Sequence, residues 1–172
     1  MATALQNNGM INSEIPDGSS FRVGLVVAEW NRDITLNLEK GALEILAKSG
    51  IKSENLYHIQ VPGSYELISG AQMLLENKVI DTVICLGCVI RGETAHFDFI
   101  CSAVSQGLAS LNIQYIKPII FGVLTTENLK QAQERAGGSL GNKGEEAALT
   151  ALKMVHLKSQ IVKNKSNITG FL

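Results

Sequence analysis

Cysteine is scarce in this sequence, and neither sign of charge dominates it. The 172 residues include three cysteines, an odd number that makes a poor disulfide framework. Fifteen Lys and Arg against sixteen Asp and Glu leave a net charge of -1, which gives no electrostatic reason to bind nucleic acid. The composition therefore favours a protein of a reducing compartment and argues against nucleic acid as a partner.

Long hydrophobic runs are also absent. The longest apolar stretches fall far short of the roughly 20 residues that a membrane-spanning helix needs. The first ten residues, MATALQNNGM, lack the charged start and the apolar stretch of a signal peptide. We therefore expect a cytoplasmic protein with no membrane association. What is present, 45% hydrophobic and 18% charged residues in a chain of this length, is typical of one globular domain with its own core.

Apolar stretches rich in valine and isoleucine alternate with amphipathic stretches along the chain. We predict strands over Phe21–Val27, Asn55–Val61, Thr82–Ile90 and Tyr115–Thr125. We predict helices over 34–49, Tyr65–Asn77, 95–111, Glu127–Ala136 and Glu145–Ser159, with a turn over Gly137–Gly144. Strands that alternate with helices form a parallel sheet with helices on both faces.

The predicted fold class follows from this order of elements. It is α/β: a single doubly wound domain with a mainly four-stranded parallel sheet, as in a flavodoxin-like three-layer sandwich. The predicted domain spans residues 21–160, after a polar arm over 1–20 and before a polar tail over 161–172. Ligands of such folds bind outside the carboxyl ends of the strands, so the residues there are the first candidates for a site.

Aromatic and polar residues follow the first two predicted strands. Trp30, the only tryptophan, offers a flat platform for a planar heterocycle, although a place in the core or at its rim is the commoner role for such a residue. Tyr65 and Glu66 follow the second strand. Glu66 could accept hydrogen bonds from a polyol or an amine, or its carboxylate could simply suit the first turn of a helix.

The polar segment RGETAHFD follows the third predicted strand. Thr94 is a good N-cap for a helix that begins at Ala95, which places His96 in the first turn. A helix start presents free N–H groups and partial positive charge, so it favours an anion such as phosphate and keeps a histidine neutral. A neutral histidine there could exchange protons near pH 7. The simpler interpretation is a capping threonine and a surface histidine.

The segment RAGGSLGNKGE is rich in glycine and carries two cations, Arg135 and Lys143. It is not a phosphate-binding P-loop, because it joins two helices and lacks the Gly-Lys-Ser/Thr ending. Taken alone, it is best explained as a helix end at Gly137 or Gly138, with Arg135 near the negative pole of the helix dipole. The alternative is a cationic clamp for a phosphate.

Cys85 and Cys88 form a C-x-x-C pair inside the third predicted strand. Residues three apart on a strand point to opposite faces, so the two thiols cannot readily bind one metal ion. A second cysteine pair is also missing. We therefore interpret both as buried apolar residues in preference to zinc or redox use.

Five segments occur together in a characteristic order: AEWN, VPGSYE, GCVIRGETAHFD, IIFGVLTTEN and ERAGGSLGNKGEEAA. Because of these segments, the chain closely resembles the 6,7-dimethyl-8-ribityllumazine synthase family over about residues 21–157. The resemblance implies condensation of 5-amino-6-(D-ribitylamino)uracil with 3,4-dihydroxy-2-butanone 4-phosphate, the penultimate step of riboflavin biosynthesis. It implies no metal and no organic cofactor.

The resemblance also implies a role for each site residue. His96 corresponds to the proton shuttle, and Phe121 to an aromatic residue that a neighbouring subunit contributes. The residues implied to bind the aminouracil are Trp30, Ser64, Tyr65, Glu66, Cys88, Val89, Ile90 and Phe121. The residues implied to bind the phosphate are Glu93, Thr94, Arg135 and Lys143.

Three of these positions depart from the family's usual residues. Trp30 replaces a frequent phenylalanine and keeps the stacking surface, whereas Cys88 stands where threonine or alanine is usual. Glu93 stands where a small residue is frequent, so only its backbone N–H can help to bind phosphate. No chemical group that the reaction needs is lost.

The resemblance implies an assembly as well. We expect a homopentamer, and the short form of the turn AGGSLGNKG favours packing into a sixty-subunit shell and allows association with riboflavin synthase. Two alternatives stay open, a flavin-binding relative without the chemistry and a purely structural shell protein. His96 and Arg135 argue against the first, and Trp30, His96 and Arg135 together argue against the second.

Overall fold

A four-stranded parallel sheet forms the centre of the fold. The structure is a computed structural model that describes residues 14–168, with the side chains of residues 14–163. The strands are β1 (Val23–Ala28), β2 (Leu56–Val61), β3 (Thr82–Ile90) and β4 (Ile119–Thr126). Their order in the sheet is β2-β1-β3-β4. The predicted α/β class is confirmed.

Five α-helices cover the two faces of this sheet. They are α1 (Arg32–Lys48), α2 (Leu67–Asn77), α3 (His96–Tyr115), α4 (Leu129–Arg135) and α5 (Lys143–Ile168), with one 3-10 turn at Ser53–Asn55. Residues of α1, α4 and α5 share one apolar cluster with the sheet, and residues of α2 and α3 share the other. In the part of the chain that the structure describes, no helix is both long and apolar enough to cross a bilayer.

The central strands are apolar throughout because each contributes to both cores. In β1, Leu25 packs in the cluster of α1 and α5, and its neighbour Val26 packs in the cluster of α2 and α3. The same alternation separates Cys88 from Cys85 in β3, which confirms their predicted opposite orientations. Neighbouring side chains of a strand point to opposite faces, and here both faces are covered.

The fourth strand begins later than the sequence predicts. Tyr115 is the last residue of α3, and Ile116 caps that helix with φ of 51°, so the predicted strand start at Tyr115 is wrong. Positive φ is rare for a β-branched residue, and no glycine marks the end of the helix. The second predicted helix also starts late, at Leu67 instead of Tyr65.

The glycine-rich turn contains a small antiparallel pair of strands, β5 (Ala136–Gly138) and β6 (Gly141–Asn142), which the prediction of a plain turn missed. The end of this turn holds the start of α5 against α1. The Asn142 side chain donates a hydrogen bond to the Asn37 carbonyl oxygen at 2.8 Å and accepts one from the Gly144 backbone N–H at 2.8 Å. Asn142 thereby fixes the start of α5 against the backbone of α1.

The described residues include parts of the predicted arm and of the predicted tail. Residues 14–20 are irregular, as predicted, but lie against the domain, where the Gly18 N–H donates to the Ser49 carbonyl oxygen at 2.7 Å. Of the segment predicted as a polar tail over 161–172, residues 161–168 continue α5. Residues 1–13 and 169–172 lie outside the described residues.

Candidate active site

A cleft of about 670 Å³ opens at the carboxyl ends of β1, β2 and β3. Nine of the residues that the sequence nominates line it, and they come from all three strand ends. They are Trp30, Ser64, Tyr65, Glu66, Cys88, Val89, Ile90, Thr94 and His96. The lining also includes residues that the sequence reasoning did not nominate: Asn31, Gly63, Gly92, Phe97 and Ile100.

Trp30 stands at the rim of the cleft on a loop that the neighbouring strands hold in place. Its side chain is 72% exposed, which excludes a place in the core, and its stacking role stays a prediction. Its backbone N–H donates to the Pro62 carbonyl oxygen at 3.1 Å. The next residue, Asn31, has φ of 57° and donates from its side chain to the Cys88 carbonyl oxygen at 2.9 Å. An asparagine directly before a helix was the available signal for this turn.

The wall after β2 carries free polar groups. The Ser64 hydroxyl is buried and has no hydrogen-bond partner, although Ser64 lines the cleft. A buried hydroxyl without a partner is costly, so it is well placed to hydrogen-bond a polar ligand. Glu66 is the N-cap of α2 but makes no capping bond with its side chain. Its carboxylate is therefore not committed to the helix start.

The turn after β3 brings a helix start to the floor of the cleft. Helix α3 begins at His96, with Ala95 as its N-cap, so the prediction of Thr94 as the N-cap is wrong by one residue. Ala95 has helical angles, φ of -64° and ψ of -2°, so the turn tightens before the helix begins. The Thr94 hydroxyl still accepts from the His96 backbone N–H, at 3.4 Å. His96 lies in the first turn, as predicted.

Four nominated residues lie outside the cleft of their own chain. Glu93 is exposed on the same turn but does not line the cleft, and Phe121 lies on the edge strand β4 with 43% of its surface exposed. Arg135 ends α4 and donates to the Gln131 carbonyl oxygen at 3.2 Å. Lys143 pairs with Glu146 at 2.6 Å. Their assigned roles stay predictions.

The cysteines of the C-x-x-C pair are buried thiols. Burial raises the pKa of Cys85 to about 12 and that of Cys88 to about 11, so both stay protonated at neutral pH. Among the residues that the structure describes, no group of three His, Cys, Asp or Glu side chains is placed to hold a metal ion. Cys88 therefore offers the cleft an apolar wall with a weak S–H donor.

The fold and the cleft define a class of protein: an α/β enzyme whose small-molecule site combines an exposed aromatic platform, unpaired polar groups and a helix start with a histidine. A family model described as 6,7-dimethyl-8-ribityllumazine synthase matches residues 20–159. The chain belongs to the 6,7-dimethyl-8-ribityllumazine synthase family. It is therefore a transferase of the condensation step of riboflavin biosynthesis.

Curated relatives with the same description cover nearly the whole chain. The 6,7-dimethyl-8-ribityllumazine synthase of Cytophaga hutchinsonii is 56% identical over 155 residues, which is 90% of this chain and 98% of the relative. That of Parabacteroides distasonis is 52% identical over 160 residues, 92% of this chain and 100% of the relative. That of Porphyromonas gingivalis is 50% identical over 159 residues, 92% of this chain and 99% of the relative.

Proposed function

We propose that this chain condenses 5-amino-6-(D-ribitylamino)uracil with 3,4-dihydroxy-2-butanone 4-phosphate in the cleft, forming 6,7-dimethyl-8-ribityllumazine and releasing phosphate and water. The observation that carries the proposal is the meeting of three strand ends in one cleft. There Trp30 supplies a stacking surface, Ser64 and Glu66 supply free polar groups, and the start of α3 supplies an anion site with His96.

The reaction needs proton transfers and charge stabilisation more than any other chemistry. The uracil's amine attacks the ketone carbon, and water leaves as the imine forms. Phosphate is then eliminated, the remaining chain turns, and the second amine closes the ring with loss of a second water. His96 is suited to carry the protons, and the N–H groups at the start of α3 are suited to hold the phosphate. Holding both reactants in one cleft supplies much of the remaining rate acceleration.

The direct test is to mix the purified protein with both substrates and to measure the fluorescent lumazine together with released inorganic phosphate. We expect both products in equal amounts and only when both substrates are present. Saturable binding of riboflavin without turnover would instead support the alternative of a flavin-binding relative. If the protein neither bound riboflavin nor formed lumazine, the alternative of a purely structural shell protein would be supported.

The proposed site is completed by a second subunit. Phe121 is exposed on the edge strand, and Arg135 lies outside its own chain's cleft, which supports their contribution to the cleft of a neighbour. A closed ring satisfies such head-to-tail contacts, and we propose that the protein is a homopentamer and that it is located in the cytoplasm. The short turn 137–144 supports further assembly into a sixty-subunit shell, which could associate with riboflavin synthase.

Light scattering and electron microscopy test this assembly. We expect particles no smaller than a pentamer, with the shell as the main species. A stable and fully active monomer would contradict the shared site. A pentamer that never assembles further would contradict only the shell.

The fluorescence of Trp30 should report ligand binding. A heterocycle stacked on the only indole of the chain should quench its emission, and the side chain is exposed enough to accept one. We expect saturable quenching by riboflavin or by the lumazine product in a fluorescence titration. Unchanged emission at a saturating concentration, with binding established separately by calorimetry, would place the ligand away from Trp30.

Replacing Arg135 should weaken the handling of the phosphate substrate more than that of the aminouracil. A charge-assisted hydrogen bond contributes about 1.5–3 kcal/mol, so Arg135→Ala should raise the KM of the phosphate substrate roughly 10- to 100-fold. Steady-state kinetics with each substrate varied in turn would measure this. Lys130→Ala, on the exposed side of the same helix, is the matched control. Equal losses for both substrates would indicate a structural role for Arg135.

A further inference from the structure

Arg91 joins three parts of the molecule around the start of α3. Its terminal nitrogens bind both carboxylate oxygens of Asp98, at 2.8 and 3.1 Å. Its Nε lies 2.9 Å from a carboxylate oxygen of Glu127, in the loop between β4 and α4. The guanidinium also lies 4.1 Å from the ring centre of Phe97, which lines the cleft. All three contacts come from one side chain immediately after β3.

The backbone around Arg91 strengthens these links. The Arg91 N–H donates to the Thr126 carbonyl oxygen at 2.8 Å, which extends the pairing of β3 and β4. The Glu127 N–H donates a hydrogen bond to the side-chain oxygen of Gln131 at 3.0 Å, so Glu127 is itself tied to α4. Arg91 therefore connects the first turn of α3 to a loop that is anchored at both of its ends.

Stability alone is a poor explanation for this arrangement. The Asp98 and Glu127 side chains are each 60% exposed and that of Arg91 is 36% exposed, and ion pairs at such positions contribute little to folding. The bidentate pairing of Arg91 with both Asp98 oxygens and its contact with the Phe97 ring instead restrict the positions of the groups that they join. The geometry restricted here is that of the helix turn with Thr94 and His96.

We propose that Arg91 is a positioning residue of the cleft. By binding Asp98 and Glu127 and packing on Phe97, it holds the first turn of α3 so that the His96 ring and the turn's N–H groups stay directed at the substrates. It also neutralises the Asp98 carboxylate, which would otherwise repel a phosphate bound at the same helix start. This inference rests on the proposed function, and its test separates the two.

Four variants distinguish positioning from simple neutralisation. They are Arg91→Ala, Arg91→Lys, Asp98→Asn and the double variant Arg91→Ala/Asp98→Asn, with Arg22→Ala as the control for an exposed arginine before β1. We expect kcat to fall roughly 10- to 100-fold for Arg91→Ala, in line with small misplacements of reacting groups, while the KM of the aminouracil stays unchanged. Arg91→Lys should recover only part of the kcat that Arg91→Ala loses, because a lysine ammonium group cannot form the bidentate pair with the Asp98 carboxylate.

The double variant separates the two roles. If Arg91 positions the turn, removing the Asp98 charge should lower the KM of the phosphate substrate but leave kcat as low as in Arg91→Ala. A return of kcat to the wild-type value in the double variant or in Arg91→Lys would overturn the positioning role. Wild-type kcat in Arg91→Ala itself would overturn it as well.

Hydrogen exchange tests the same inference without substrates. The amides of residues 98–101 should exchange faster in Arg91→Ala than in the wild-type protein, and Arg22→Ala should leave them unchanged. Equal exchange in all three proteins would contradict a held turn. If the wild-type chain formed no lumazine, the proposed function would fail, and the exchange rates would still decide whether Arg91 holds the turn.

Discussion

Replacing Gly144 with alanine should prevent α5 from docking on α1 and should severely destabilise the fold. A Cβ atom at Gly144 would lie 1.8 Å from the Leu38 carbonyl oxygen and 2.8 Å from the Leu38 Cα. Those atoms belong to the backbone of α1, so no side-chain rotation can relieve the overlap. Helix α5 also carries a large part of one core, including the buried residues Ala148, Ala151 and Leu152. Moving the helix away would therefore open that core.

We expect Gly144→Ala to lower the free energy of unfolding by about 3 kcal/mol or more, since overpacking against rigid backbone lies at the upper end of such effects. This corresponds to a fall in Tm of roughly 6–12 °C for a chain of this size. Thermal unfolding at a fixed protein concentration would measure it. Gly92→Ala is the matched control, because a Cβ at Gly92 meets nothing within 4 Å and its stability should be unchanged. A Gly144→Ala protein as stable as Gly92→Ala would contradict the close packing.

The close packing of Gly144 also explains part of the segment GNKG. The sequence alone could not separate a phosphate clamp from a structural turn in this segment. The structure gives Asn142 and Gly144 structural roles, since one bonds the backbone of α1 and the other touches it. The role of Lys143 near phosphate stays a prediction, and within its own chain Lys143 pairs with Glu146.

The sheet was predictable because strands that are buried on both faces have mostly apolar residues, a pattern that is easily recognised in the sequence. Strands such as β1 and β3 read as near-continuous apolar runs, and the alternation with helices fixes the parallel arrangement. The end of α3 was not predictable, because Ile116 takes a left-handed conformation that sequence patterns assign to glycine or asparagine. The pair β5 and β6 was missed because strands of two or three residues carry no hydrophobic period.

The sequence predicts the location of the cleft but only some of the residues that line it. The strand-end rule finds Trp30, Glu66 and His96 from their position after buried strands. It does not reveal the role of Arg91, because the partners Asp98 and Glu127 are brought to Arg91 by the helix start and by a different strand. Contacts of that kind depend on tertiary structure. Local sequence patterns therefore do not predict these contacts.

Replacing His96 with alanine should slow turnover more than any other single change in the cleft. The condensation, elimination and ring-closing steps of the proposed reaction move protons, and a positioned acid or base contributes roughly 10²–10⁴-fold to such steps. We therefore expect His96→Ala to lower kcat by about 10²-fold or more. Binding of the aminouracil should change little, because Trp30 and the walls after β2 and β3 remain. Stopped-flow detection of the lumazine, together with Trp30 quenching for binding, would measure the two effects separately.

Two comparisons make the role of His96 specific. His96→Gln keeps a hydrogen-bonding side chain but cannot exchange protons near neutral pH, so it should be nearly as slow as His96→Ala. His58→Ala removes a histidine of β2 whose side chain faces Glu39 at 3.3 Å, and it should turn over at the wild-type rate. If His96→Gln kept the wild-type kcat, His96 would be a binding residue and the protons would have to move through another group. The free carboxylate of Glu66, which lines the same cleft without a capping bond, would then be the first group to replace.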